Sequence, residues 1–417
     1  MQYGLIGEHL PHSFSPEIHR RIGDYPYELK ELSPQEVGAF LQRREFKGIN
    51  VTIPYKQTVI PYLDEIDEAA SAIGAVNTIV NRGGKLCGYN TDFGGLKALI
   101  ERTGVSVAGK KALIFGTGGT SNTASAVLGA LGAKTVLKAS TSGKQGAVSY
   151  REALTAHMDA EILVNTTPCG MFPKLDGMAA DPADFPGAKA VIDVVYNPLR
   201  TDLLQRAASL GIPCCGGLYM LVTQAILAAE DFFDTKIPAE KAESIYRQIL
   251  TSKENIVLIG MPASGKTTVG TLLSKSLSRP FFDSDLLAAE KAGRSIPEIF
   301  RTDGEAAFRA LETEVLADCA GKTGAVIATG GGAVLNPENI RYLKKNGRVY
   351  FLDRPVEALI PTADRPTASS REAIFRRYEE RYPLYHQSCD KKIDASGSAE
   401  EVLEAVKEDF FHENFSA

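Results

Sequence analysis

The chain has 417 residues, of which 44% are hydrophobic and 23% charged, and its formal net charge is −5. At about 100–200 residues per domain, this length predicts two or three domains, and the composition is typical of globular proteins. The chain has no basic surplus to neutralise phosphates and no apolar run of membrane-spanning length. These properties argue against nucleic-acid and membrane partners.

Two further features bear on the compartment and on metals. The N-terminus lacks the basic and apolar segments of a secretory signal, and the six cysteines show no CxxC spacing. We therefore expect a cytoplasmic protein with reduced thiols. The histidines and cysteines also lack metal-ligand spacing, so no protein-bound transition metal is expected. The sequence leaves the oligomeric state open.

Short strands alternate with helices over the first hundred residues. Hydrophobic patterning predicts strands over residues 3–6, 27–31, 48–53 and 78–80. The pair Gly83-Gly84 predicts a hairpin turn that returns the chain toward residues 86–89. This region is therefore expected to form an α/β domain.

Polar side chains cluster near these strand ends. Ser13 and Ser15 lie in an extended stretch, Lys56 follows a strand, and Asn77 and Asp92 end turns. Taken singly, each cluster is more typical of turn and capping chemistry than of catalysis. Only their combination can therefore indicate a site.

A second unit has the strand–helix rhythm of a parallel, doubly wound sheet. Its predicted strands cover residues 111–115, 135–138, 162–165 and 190–194. Gly116 and Gly118 follow the first of these strands and permit close approach to a pyrophosphate, while Ser121 replaces the third glycine of the usual fingerprint. Residues 135–150 contain no acid to bind a ribose 2′-hydroxyl. Lys138 and Lys144 stand there instead, which favours a 2′-phosphate and hence NADP.

The domain boundaries follow from these patterns. Helices predicted over residues 218–233 and 239–250 are expected to fold back on the first unit, which makes that domain discontinuous. A short polar segment then precedes the next strand. The expected domains are residues 1–101 with 218–250, residues 102–217, a linker at 251–254, and residues 255–417.

Residues 260–267 have the spacing of a phosphate-binding loop. An apolar run precedes the loop and a helix-like segment follows it. A strand that feeds such a loop directs backbone N–H groups at phosphate oxygens, while Lys266 binds the outer phosphates and Thr267 binds Mg²⁺. The third domain is therefore predicted to bind a nucleotide, and strands at 325–328 and 348–352 continue its α/β pattern.

Further polar residues follow this loop. Asp283 and Asp285 can serve Mg²⁺ and a substrate hydroxyl, although Asp-x-Asp is usually a cap or a turn. Arg309 is by default a solvated surface arginine. Three consecutive glycines at residues 330–332 are costly in backbone entropy, which indicates a functional reason for them.

The polar clusters of residues 1–250, with residues 165–171, 193–198 and 217–224, resemble the shikimate dehydrogenase family in order. The resemblance implies an α/β substrate domain, a Rossmann-like NADP domain and an active site in the cleft between them. Lys56 and Asp92 would flank the reacting oxygen as the catalytic pair, and Lys56 would exchange the proton. The substrate would also be bound by Ser13, Ser15, Thr52, Asn77, Tyr196 and Gln224.

The same resemblance implies a cofactor site. Many members carry an Asn-Arg-Thr turn whose arginine binds the 2′-phosphate, and residues 138–142 replace that turn here. The strength of the NADP preference is therefore open. NADP would be bound by Gly116, Gly118, Gly119 and Lys138, with Asn165, Thr166 and Met220 beside the nicotinamide.

Residues 254–411 resemble shikimate kinase, which implies a P-loop domain with a parallel sheet flanked by helices. Arg309 and Arg381 would bind the substrate carboxylate, and Gly331 and Gly332 would admit the ring hydroxyls. Asp285 would orient and help deprotonate the accepting hydroxyl. ATP and Mg²⁺ would be bound by Pro262, Ala263, Ser264, Gly265, Lys266, Thr267, Thr268, Asp283 and Arg365, with Lys266 and Arg365 neutralising the transferring phosphoryl group.

Together the two resemblances predict a bifunctional enzyme. The first part would reduce 3-dehydroshikimate with NADPH, and the second would phosphorylate the resulting shikimate with ATP and Mg²⁺. One alternative keeps the fold but changes the substrate, to quinate or to another polyol. Another is a nucleotide-sensing protein with inactive sites, although the full set of predicted catalytic residues argues against it. The sequence leaves open whether shikimate passes directly between the sites. Many relatives carry a lid arginine against the adenine, which residues 357–362 lack, so the affinity for the nucleotide also stays open.

Overall fold

The computed structural model of the chain describes residues 1–10, 13–141, 146–359 and 371–416, with side chains up to residue 412. These residues form two compact units, Met1–Ile249 and Leu250–Ala417. Within the described ranges, every helix is too short or too polar to span a lipid bilayer.

The first unit begins with a mixed sheet. Its strands are β1 (Tyr3–Gly7), β2 (Glu28–Glu31), β3 (Gly48–Val51), β4 (Glu65–Ile66), β5 (Thr78–Arg82) and β6 (Lys85–Tyr89). Its helices are α1 (Ser15–Ile22), α2 (Pro34–Arg43), α3 (Glu68–Ile73) and α4 (Thr91–Glu101). The strand order is β2-β1-β3-β5-β6-β4, and β5 runs antiparallel to β3 and β6. Gly83 and Gly84 take positive φ in the predicted hairpin turn.

The second sheet of this unit is entirely parallel. Its strands are β7 (Lys111–Phe115), β8 (Thr135–Ser140), β9 (Val148–Ser149), β10 (Ile162–Asn165), β11 (Ala190–Asp193) and β12 (Cys214–Gly216). Helices α5 (Gly119–Ala130), α6 (Tyr150–Ala156) and α7 (Asp202–Ser209) connect them. The order β12-β11-β10-β7-β8-β9 reverses between β10 and β7. Loops at the carboxyl ends of those two strands form the ligand crevice of such folds.

Two further helices follow, α8 (Leu218–Phe233) and α9 (Glu240–Lys253). Helix α8 returns to pack on α1 and α4. The segment 251–254 differs from the predicted polar bridge, because α9 continues through Lys253. Thr251 is buried and the Glu254 N–H donates to the Leu250 carbonyl at 2.8 Å, so the helical hydrogen bonding persists to the start of the next strand.

The second unit is built on a five-stranded parallel sheet of order β14-β15-β13-β16-β17. Its strands are β13 (Asn255–Ile259), β14 (Phe281–Asp283), β15 (Val326–Ala328), β16 (Gly347–Asp353) and β17 (Lys391–Asp394). Its helices are α10 (Lys266–Leu277), α11 (Ser284–Ala292), α12 (Ile296–Thr302), α13 (Gly304–Ala320), α14 (Pro337–Asn346), α15 (Arg371–Ser388) and α16 (Ala399–Ser416). Buried apolar clusters cover both faces of the sheet, which accounts for its uninterrupted hydrophobic strands.

Candidate active sites

Lys56 and Asp92 form an ion pair in the first unit. Lys56 follows β3 and Asp92 lies in the first turn of α4, and Lys56 Nζ is 2.5 Å from Asp92 Oδ2. The Lys56 side chain keeps 16% of its surface exposed and that of Asp92 only 7%. The carboxylate thus fixes an ammonium group that still reaches solvent, which is the arrangement that proton exchange with a bound ligand requires.

Asn77 connects this pair to helix α8 through buried hydrogen bonds. Its Nδ2 donates to Thr91 Oγ1 at 3.0 Å and to Gln224 Oε1 at 3.4 Å. Its Oδ1 accepts from the Thr91 backbone N–H at 2.7 Å. The side chains of Asn77, Asp92 and Gln224 are therefore held within one region of the fold.

Gly95 allows α4 and α8 to approach closely enough for this arrangement. A Cβ at this position would lie 2.8 Å from the Met220 carbonyl oxygen. The Met220 side chain, predicted to line the nicotinamide, is buried in the apolar core with Leu96 and Ile114. Its described contacts are therefore those of a core residue.

Ser13 and Ser15 lie at the start of α1, where the Ser15 N–H donates to Ser13 Oγ at 3.3 Å. The intervening Phe14 packs edge-on against Tyr196 with ring centroids 5.2 Å apart. Tyr196 follows β11, so this contact joins the serine pair to the carboxyl edge of the second sheet. Thr52 is half-buried beside Gly7 at the carboxyl end of β3.

The glycine loop after β7, predicted to bind the dinucleotide pyrophosphate, leads into the N-terminus of helix α5. Gly116 has φ +114°, and a Cβ there would lie 2.6 Å from Thr166 Oγ1. Gly118 and Gly119 open helix α5, whose N-terminus directs backbone N–H groups and positive dipole toward an anion. Ser121, at the third glycine position, is fully buried and donates to the Gly118 carbonyl at 2.6 Å. The serine hydroxyl thus stabilises the loop by a hydrogen bond within it.

Lys138 lies beside the first turn of α5. Its Nζ donates to Asn122 Oδ1 at 2.6 Å. Burial lowers the pKa of the Lys138 ammonium, so part of its hydration has been removed. The position beyond the glycine loop is compatible with a ribose phosphate. Lys144 lies outside the described residues.

Asn165, predicted to lie beside the nicotinamide, is buried at the carboxyl end of β10. Its Nδ2 donates to Asp193 Oδ1 at 2.9 Å, and its Oδ1 accepts from the Thr167 hydroxyl at 2.7 Å. Asp193, which sequence reasoning missed, is fully buried and also accepts from the Thr201 hydroxyl at 2.6 Å. Burial raises the pKa of Asp193 to about 6. This network orders the loop after β10, in which Thr166 donates to the Phe115 carbonyl.

The phosphate loop of the second unit joins β13 to α10. Ala263 and Gly265 take positive φ, with values of 66° and 95°. Lys266 is 6% exposed and bends back, donating to the carbonyl oxygens of Gly260 at 2.9 Å and Met261 at 2.8 Å. The loop oxygens therefore hold the ammonium where the outer phosphates of a nucleotide would come.

Thr267 and Asp283 meet at the mouth of this loop. Thr267 Oγ1 donates to Asp283 Oδ2 at 2.8 Å, and Asp283 Oδ1 caps α11 by accepting from the Asp285 N–H. A hydroxyl and one carboxylate fit Mg²⁺, which usually keeps several waters and takes its other ligands from phosphates. Among the described residues, no three acidic, cysteine or histidine side chains form a metal-binding group. A cavity of about 370 Å³ adjoins these residues and extends to Asp285 and Gly331.

Each glycine of residues 330–332 faces a different close neighbour. A Cβ at any of the three positions would collide with atoms of another element. The neighbours, in order, are the Asp285 and Glu312 carboxylates, the Pro262 ring and the Arg309 guanidinium. The triplet thus lets the phosphate loop, α11 and α13 converge at one end of the sheet.

Arg309 and Arg381 both lie next to this glycine segment, Arg309 at Gly332 and Arg381 at Gly331. Arg309 donates to Glu312 at 2.8 Å and to Glu305 at 3.0 Å. Arg381 is 5% exposed and donates to the Gly331 carbonyl at 2.9 Å. Glu312 is buried, which raises its pKa, and its i+3 spacing from Arg309 is the sequence signal that could have identified it. Arg365 lies outside the described residues.

Two family models match the chain, one within each compact unit. The family model for the shikimate dehydrogenase substrate binding domain matches residues 5–79, and that for shikimate kinase matches residues 262–410. A shikimate dehydrogenase (NADP(+)) from Clostridium perfringens is 36% identical over 264 residues, which cover 59% of this chain and 97% of the relative.

Solved structures resemble the chain over a similar share. Shikimate dehydrogenase 1 from Peptoclostridium difficile is 35% identical with a TM-score of 0.56, covering 60% of this chain and 98% of that one. Quinate dehydrogenase from Corynebacterium glutamicum, solved with NAD, is 28% identical with a TM-score of 0.54. That match covers 60% of this chain and 99% of the other.

Proposed function

Because the chain belongs to the shikimate dehydrogenase family and carries a shikimate kinase domain in its second unit, we propose that it is a bifunctional enzyme. The first unit reduces 3-dehydroshikimate to shikimate with NADPH. The second unit phosphorylates shikimate to shikimate 3-phosphate with ATP and Mg²⁺. The Lys56–Asp92 ion pair is the observation that carries the first activity, and the phosphate loop with Asp283 carries the second.

In the dehydrogenase reaction NADPH, when bound, supplies the hydride to the ketone carbon. Lys56 donates a proton from Nζ to the ketone oxygen, which becomes the new hydroxyl. Asp92 holds that ammonium and balances its charge at a separation of 2.5 Å. Asn77 and Gln224 orient the ring through their amides, and the Phe14–Tyr196 contact positions the serine pair. Asn165 orders the cofactor loop through Asp193 and Thr167.

In the kinase reaction ATP with Mg²⁺, when bound, supplies the phosphoryl group. Asp285 accepts a hydrogen bond from the substrate hydroxyl and takes its proton. Lys266 leaves the loop carbonyls for the phosphate oxygens, where it offsets their negative charge. Thr267 and Asp283 bind Mg²⁺ directly or through water. Arg309 and Arg381 bind the substrate carboxylate, because the planar guanidinium group matches the geometry of a carboxylate.

A single coupled assay tests both activities. Purified chain with 3-dehydroshikimate, NADPH, ATP and Mg²⁺ should oxidise NADPH and release ADP. Without NADPH, ADP release should cease and then return when shikimate is added. NADPH oxidation without ADP release, or the reverse, would remove one half of the proposal.

Quinate is a second candidate substrate for the first unit, because a quinate dehydrogenase has nearly the same structural similarity. Comparing kcat/KM for shikimate with NADP and for quinate with NAD decides between them. The absence of an acid over residues 135–150 favours the phosphorylated cofactor.

Lys138 should contribute to the choice of cofactor. We expect Lys138→Ala to raise the KM for NADPH about tenfold and to leave the KM for NADH within about twofold, because one charge-assisted contact to the 2′-phosphate is lost. Steady-state kinetics with both cofactors measures this. Lys134→Ala, an exposed lysine just before β8, is the control. A parallel rise in both KM values would mean that Lys138 acts only by supporting α5 through Asn122.

The partners of the chain are small molecules. The six cysteines are all free thiols, which is compatible with a reducing compartment, and we therefore propose a cytoplasmic location.

A further inference from the structure

Buried polar atoms without a hydrogen-bond partner are concentrated at one place in the second unit. Of the eleven found within the described residues, four belong to a single group of charged side chains. Buried polar groups are otherwise nearly always paired, so such a concentration indicates a place that a polar ligand occupies. The four atoms are Arg309 Nε, Glu312 Oε1, Arg377 Nη1 and Arg381 Nε.

Arg377 has no role in the sites described above. It lies one helical turn before Arg381 in α15, and residues four apart share a helix face. Burial, followed by the positive charges of Arg381 and Arg376, lowers the pKa of the Arg377 guanidinium, and the charge of Glu305 also acts on it. Arg377 therefore lies within the electrostatic reach of the residues around Arg309.

The carboxylates of this group are shared unevenly among its arginines. Three guanidinium groups, from Arg309, Arg377 and Arg381, share this region with the carboxylates of Glu305 and Glu312. Both carboxylates are bonded to Arg309. Guanidinium N–H groups that lack a protein acceptor suit a carboxylate, which supplies one negative charge and two acceptor oxygens.

We propose that Arg377 is a third substrate-binding arginine, which donates Nη1 to the carboxylate that Arg309 and Arg381 also bind. The inference rests on the proposed kinase function and extends it. Arg309 already donates to two glutamates and Arg381 to the Gly331 carbonyl, so each has Nε left for the ligand, and Arg377 Nη1 adds a further donor.

Substitution of Arg377 tests this proposal in the full chain. We expect Arg377→Ala to raise the KM for shikimate in the kinase reaction about tenfold or more, with the KM for ATP within about twofold. The KM of Arg377→Lys for shikimate should lie between those of Arg377→Ala and the wild type. Arg376→Ala, the exposed neighbour in the same helix, should leave both constants unchanged. Arg377→Gln serves the same purpose if the alanine variant does not fold.

The methyl ester of shikimate distinguishes carboxylate binding from support of the fold. The ester lacks the negative charge, so Arg377→Ala should reduce its turnover much less than that of shikimate. Equal reductions with both compounds, or an unchanged KM for shikimate, would overturn the proposal. A wild-type chain that does not phosphorylate shikimate at all would instead refute the proposed kinase function.

Discussion

Lys56→Ala should reduce turnover of 3-dehydroshikimate about 10²–10⁴-fold, the usual contribution of a positioned general acid. The substitution removes the proton donor and leaves Asp92, which is 5% exposed, without the ammonium 2.5 Å away. NADPH oxidation by the purified variant measures the effect. ADP release from shikimate should stay within about twofold of wild type, because Lys56 and the phosphate loop lie in different compact units.

Two matched variants separate chemistry from stability. Lys56→Met keeps most of the side-chain volume but carries no proton, so it should be as inactive as the alanine variant. Lys97→Ala removes a more exposed lysine on α4 and should behave like wild type. Full dehydrogenase activity in Lys56→Met would exclude Lys56 as the proton donor.

Lys266→Ala should impair the kinase reaction and leave the dehydrogenase reaction intact. We expect the kinase kcat to fall about 10²–10³-fold, because a cation that stabilises the transferring phosphoryl group is lost. The reduction of 3-dehydroshikimate should continue at the wild-type rate. ADP release and NADPH oxidation, recorded on the same preparation, provide the comparison.

The bent position of Lys266 makes the choice of control important. The ammonium also donates to two carbonyl oxygens of the loop, so its removal could disorder the loop itself. Lys266→Met keeps most of the side-chain volume, and thermal melting reports whether each variant remains folded. Lys275→Ala, at the exposed end of α10, is the control. A large loss of kinase activity in Lys275→Ala would contradict the assignment to Lys266.

The sequence was sufficient for the α/β class, for most strands and for the helix at 218–233. The predicted strands at 111–115 and 162–165 and the helix at 218–233 have the observed bounds, because continuous apolar runs are buried on both faces of the sheets. The two-residue strands Glu65–Ile66 and Val148–Ser149 escaped prediction. Strands this short depend on partners distant in sequence rather than on a local pattern.

The site residues differ in how much local sequence could reveal. The phosphate loop is contiguous, so its spacing alone identifies it. Lys56, which follows β3, and Asp92, at the start of α4, are 36 residues apart and meet only in the fold, which only the family resemblance anticipated. The inward orientation of Asn165 could not be predicted, because it depends on Asp193, a strand-end acid 28 residues away. The roles of these side chains remain predictions for the assays above.

The glycine segment at residues 330–332 limits how the kinase unit can change during evolution. Gly330 is blocked by the Asp285 and Glu312 carboxylates, Gly331 by the Pro262 ring and Gly332 by the Arg309 guanidinium. A compensating mutation that makes room at one position therefore gives no room at the other two. Simultaneous substitutions would be needed for the segment to drift, and intermediates would carry steric clashes beside the phosphate loop.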